Sequence, residues 1–118
     1  MTQLQAQLLT LAVEVPLAAL VFEGRGWAES PRHRLRFLAV AVAMSLITHP
    51  FAWTLNQDLR PMPFWERALI VETLVVVLEG ALLARWARLG WTRGYQLGLF
   101  VNAASFGVGL LISALMRR

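Results

Sequence analysis

Three glutamates stand inside apolar stretches of this chain: Glu14, Glu72 and Glu79. An ionisable residue at the centre of a bilayer costs roughly 2.5–3.5 kcal/mol on insertion scales, so it marks a candidate functional position. No Arg lies between residues 4 and 22 or between 68 and 84, the apolar runs that hold them, and His49 is the only cationic candidate close to them. A carboxyl in a low dielectric without a cationic partner tends to hold its proton, and it can exchange that proton for a cation. Glu72 and Glu79 are seven residues apart, which on a helix leaves them about 20° apart on one face. Such a face must look inward or onto water, and not at lipid.

The candidates for binding a ligand or proton are Glu14, Thr48, His49, Glu72, Glu79, Asn102 and Ser105. Thr48 and His49 precede Pro50, and Glu14 precedes Pro16 by two residues. A helix-interior proline removes one backbone donor and frees the carbonyl four residues earlier, here those of Ala12 and Leu46. Breaks beside polar residues recur at transporter binding sites and also occur as plain kinks. Asn102 and Ser105 sit among small residues, with Ala103–Gly107 and Ser105–Gly109 as small-xxx-small pairs suited to close helix packing. Carboxylates with one imidazole suit a divalent metal, but the spacing matches no recognised metal motif, so metal and cofactor stay open. No catalytic set is visible: there is no Cys, and the one Asp, Asp58, lies in a loop.

These residues need elements to hold them. The chain has 118 residues, 58% hydrophobic and 15% charged. That is more apolar surface than a soluble fold of this length can bury, and it fits one domain over residues 1–118. Four apolar runs predict transmembrane helices over about 4–22, 35–55, 66–88 and 94–116, each near the roughly 20 residues that cross a bilayer. The first run has Glu14 at its middle and no basic leader, which reads as a retained helix rather than a signal peptide. Short connections make neighbours antiparallel. The expected fold is an all-α, four-helix antiparallel membrane bundle.

All eleven basic residues are Arg. Seven lie in the first and third connections; Arg60, Arg67, Arg117 and Arg118 lie on the other side. The excess puts both termini outside a bacterial inner membrane. The Arg placement fits membrane topology better than nucleic-acid binding. The five tryptophans fall near run ends, as interfacial anchors do. Val13-Glu14-Val15-Pro16 aligns with Val71-Glu72-Thr73-Leu74, and Ser45–Thr48 with Asn102–Ser105. This predicts two helical hairpins related as a parallel repeat, with Glu14 and Glu72 at similar depth.

Leu11-Ala12-Val13-Glu14-Val15 resembles the first helix of the small multidrug resistance transporters, in which one carboxylate is essential. That resemblance implies a transport role for Glu14. The Gly- and aromatic-rich second and third helices of that family are absent here. The set Glu14-Val15-Pro16, Thr48-His49-Pro50, Glu72 with Glu79, and Asn102 with Ser105 resembles uncharacterised small bacterial membrane proteins with E-V-P and T-[HN]-P motifs. It covers most of the chain and implies shared site residues without an activity. Three roles follow from these readings. One is binding or moving a proton, small cation or solute, in a homo-oligomer. Another is an accessory or assembly subunit docked to a partner membrane protein, and the last is a membrane enzyme acting on a lipid, with a Glu acid and His49 as base.

Overall fold

A computed structural model of the protein describes residues 2–117; Arg118, counted above for topology, lies outside them. The described residues form four helices and no strand: α1 (Gln3–Gly24), α2 (Pro31–Asp58), α3 (Phe64–Arg85) and α4 (Trp91–Met116). α1, α2 and α4 are long and apolar enough to cross a membrane. α3 is 22 residues long but carries Glu66, Arg67, Glu72, Glu79 and Arg85, a denser set of charges than the other helices bear at their centres.

The helix ends follow local chemistry. Thr2 caps α1 through its side chain, with Gln5 completing a reciprocal capping box. Ser30 accepts a hydrogen bond from the His33 amide, and Pro31 occupies the first helical turn. This Ser-Pro start carries α2 four residues earlier than its apolar run. α3 stops at Arg85, three residues before the end of the predicted element, because the chain turns through left-handed backbone at Arg88 (φ 56°) and Gly90 (φ 84°). α1 and α2 run unbroken through Pro16 and Pro50.

The helices form a ring in which α1 packs on α2 and α4, and α3 packs on α2 and α4. α3 and α4 make the closest pair. Three glycines permit it: a Cβ on Gly94 would sit 2.7 Å from the Ala84 nitrogen and the Gly80 oxygen, and one on Gly98 would sit 3.2 Å from the Gly80 nitrogen. Small residues admitting close backbone approach are the usual basis of helix pairing in lipid.

The apolar core is off-centre. It joins Ala18 and Phe22 of α1, Phe37 and Met44 of α2, Leu83 of α3, Leu97 and Val101 of α4, and Ala87 and Leu89 of the α3–α4 connection. The Phe22 and Phe37 rings stack at 4.1 Å. Polar ties close this same end. His33 Nε2 lies 2.8 Å from the Ala87 carbonyl, and its Nδ1 accepts the Glu29 amide at 3.1 Å. That pair of partners assigns the neutral ring with its proton on Nε2. Arg36 donates to the Trp86 carbonyl, and Arg93 lies 5.3 Å over the Trp27 ring. Each of these three ties crosses from the α1–α2 hairpin to the α3–α4 hairpin. The outer surface, in contrast, is greasy: Leu20, Leu69 and Leu99, on three different helices, are each at least 60% exposed.

Candidate functional site

The other half of the bundle is hollow. A cavity of about 560 Å³ lies among the N-terminal halves of α1 and α3 and the C-terminal halves of α2 and α4. All seven residues singled out in the sequence line it: Glu14, Thr48, His49, Glu72, Glu79, Asn102 and Ser105. Its far lining includes Asn56, Ser113 and Arg117, near the ends of α2 and α4.

The helical register explains the convergence. On α1, Thr10 and Glu14 are one turn apart and both face the cavity. On α3, Val71, Glu72, Val75 and Glu79 form one inward stripe. Thr48 and His49 end the inward face of α2, and Asn102, Ser105 and Phe106 supply that of α4.

The inner boundary holds the most buried polar groups. Glu14 is 3% exposed, Glu79 1%, Thr48 2% and Asn102 4%. The Ser45 hydroxyl donates to Glu14 Oε2 at 3.2 Å. The Asn102 side-chain amide donates to the Gly98 carbonyl at 2.8 Å, which fixes its orientation. All three carboxyls line the same cavity. Glu79, rather than the repeat-aligned Glu72, shares its buried inner boundary with Glu14. Glu72 is half-buried and sits farther out along α3.

Three buried side-chain atoms have no hydrogen-bond partner among the described residues, Glu79 Oε2, His49 Nδ1 and Arg67 Nε, and the first two belong to residues that line the cavity. Buried polar atoms are nearly always satisfied, so an orphan beside a cavity marks a place for a ligand, a proton or water. The His49 ring instead packs near Trp53, at 6.4 Å. Among the described residues, no three His, Asp or Glu side chains stand close enough to hold a metal ion.

Ser45 joins the site without having been singled out as a site residue. Its signal was its spacing: three residues before Thr48, it shares the inward face of α2. His33 and Arg36, which tie the two hairpins together, gave no comparable signal, because their partners are main-chain carbonyls 54 and 50 residues away.

A second recess adjoins the first. It lies between α3 and α4 and is also about 560 Å³. Its lining is almost wholly apolar, including Leu69, Val76, Val77, Leu99 and Ala103. Ala68, Glu72, Asn102 and Phe106 line both spaces and form the wall between them.

Comparison with protein-family models, with curated proteins and with solved structures finds nothing that matches this chain.

Proposed function

We propose that this protein is an integral membrane protein, an antiparallel bundle of four spans, that binds a proton or small cation at Glu14, Glu79 and Glu72 and moves it between the membrane's two sides. The observation that carries the reading is the buried carboxyl group at the inner boundary of the cavity: Glu14, Glu79 and Glu72 line one space, its Arg117 stands at the far end, and Glu79 Oε2 has no partner among the described residues. Helix association alone is served by Ser, Thr or Asn at lower cost than by three glutamates.

α3 completes the bundle as the fourth span because its charges have somewhere to go. Glu72 and Glu79 turn into the cavity, and Glu66 and Arg67 lie in its first turn, at the depth of the interface. Exposed leucines around the bundle suit a lipid environment.

The hollow half serves as a vestibule and the filled half as a plug. A proton or cation entering the vestibule meets Ser113 and Asn56, then Glu72, then Glu79 and Glu14. The backbone-directed hydrogen bond of Asn102 orients its amide beside Glu79, and Ser45 orients Glu14. Passage to the far side requires the plug to part, which is the alternating exposure of a carrier. The Arg distribution orients the vestibule outward in a bacterial inner membrane, with the plug toward the cytoplasm. Pairing of two copies through the small residues of α4 accounts for Gly107, which has open space beside it.

Proteoliposomes test this. An imposed pH or cation gradient should dissipate faster with the wild-type protein than in empty vesicles. Glu14→Gln with Glu79→Gln should reduce that excess to the empty-vesicle rate, and Glu23→Gln, exposed in the last turn of α1, should leave it unchanged. Equal flux in the double variant and the wild type would overturn the reading.

A further inference from the structure

The vestibule has a side opening of a different chemistry. The recess between α3 and α4 is bounded by Leu69, Val76, Val77, Leu99 and Ala103, and it faces outward where Leu69 and Leu99 are 70% and 60% exposed. Its volume falls within the roughly 300–1,000 Å³ of ordinary small-molecule pockets. At its inner wall it meets Glu72 and Asn102, the residues that also line the carboxyl cavity. An apolar trough that faces lipid and ends on a carboxyl and an amide has the shape and polarity of an amphiphile, chain outward and head inward.

The hydrogen bonding of the site selects the head. The carboxyl oxygens of Glu72 and Glu79, Oε2 of the latter without a partner among the described residues, accept hydrogen bonds. A head that donates hydrogen bonds satisfies them, and a carboxylate head does not. Ala103, exposed and small, leaves the trough open to a chain from the lipid side.

We propose that the carboxyl site takes a single-chain lipid with a hydrogen-bond-donating head, an alcohol or an amine, which enters sideways from the bilayer between α3 and α4. This rests on the membrane reading above and names the class of solute the same carboxyls serve.

The test uses the full chain in nanodiscs with three photoreactive sixteen-carbon probes: an alcohol, an amine and a fatty acid. Labelling by the alcohol or the amine should concentrate on Leu69, Val77, Leu99 and Ala103. The fatty acid should label these positions no more than it labels exposed Leu20 and Leu35, which lie on α1 and α2. Preference between the alcohol and the amine tells whether the head is bound neutral or charged. Ala103→Trp, which fills the trough from an exposed position, should cut the labelling by about tenfold, the scale of one well-made contact. Uniform labelling of all lipid-facing leucines, or labelling unchanged by Ala103→Trp, would overturn the proposal. Proton or cation flux measured on the same Ala103→Trp variant separates the two readings: flux retained with labelling lost keeps both, and wild-type flux with uniform labelling refutes the lipid alone.

Discussion

The half of the bundle around Phe22, Phe37, Leu83 and Leu97 is filled, and the half around Glu14, Glu72 and His49 is open. The same four helices build both. In the filled half, aromatic and branched side chains meet, α3 and α4 touch at Gly80, Gly94 and Gly98, and three polar ties join one hairpin to the other. In the open half the hydrogen bonds stay within one hairpin or a connection, as from Ser45 to Glu14 and from Arg67 to the Arg60 carbonyl, and several inward side chains are short: Ala6, Thr10, Ala52, Ser113. For the membrane bundle proposed above, burial of apolar surface does not drive helices together, so packing and hydrogen bonds carry the association. The filled half therefore fixes the helices, and the open half can hold poorly satisfied carboxyls without the bundle coming apart.

Paired glycine substitutions give the sharpest way to break that contrast. Gly94→Ala forces a Cβ to within 2.7 Å of main-chain atoms of α3, which cannot step aside. It should cost about 3 kcal/mol or abolish the monodisperse protein, as overpacking against backbone does. Gly109→Ala meets open space on the cavity side and should leave thermal unfolding in detergent unchanged. Equal losses from the two would mean that the open half bears as much of the packing as the filled one.

The two histidines offer the next contrast. His33→Phe keeps the edge contact with Phe22 but strips the donor from the Ala87 carbonyl and the acceptor from the Glu29 amide. A buried polar group left without its partner costs about 1–3 kcal/mol. His49→Phe removes a ring whose Nδ1 is already unsatisfied, so it should be neutral or mildly stabilising. Thermal unfolding of both variants in one detergent decides it. A His49 variant that loses as much as the His33 variant would show that His49 makes a structural bond in solution.

Glu79→Gln sharpens the account of the cavity's inner boundary itself. The substitution keeps size and offers an amide where an orphan oxygen stood. It should raise stability by up to about 1 kcal/mol, the net worth of one neutral hydrogen bond. Flux would fall at the same time, so stability and transport should move in opposite directions. A variant that loses both would make Glu79 a structural residue.

The hollow half was the more legible one. Its polar residues recur at helical spacing, Thr10 with Glu14 and Glu72 with Glu79, and a polar residue in an apolar run is visible without any partner. The helices were legible for the same reason, but the Ser30-Pro31 start of α2, four residues ahead of the apolar run, was not. The filled half was not: Phe22 and Phe37 look like any apolar residues, and nothing in the chain says that Gly80, Gly94 and Gly98 meet. His33 binds a carbonyl 54 residues away, a pairing that depends on how two hairpins dock. The second recess escaped notice because it is a space between two helices, and sequence periodicity reports faces rather than gaps.

The smallest expected effect concerns the ion pair of Arg34 with Glu23, 2.6 Å apart and about half exposed on both sides. It closes the same end of the bundle as His33 but lies within one hairpin. Exposed pairs exchange a water-solvated state for a similar one and are screened by salt. Arg34→Gln should therefore shift thermal unfolding by no measurable amount, at low or at moderate salt. A clear loss at low salt that vanishes at high salt would mean that charge holds the plug shut rather than packing. The plug would then open with ionic strength, and the same variant would raise flux in proteoliposomes.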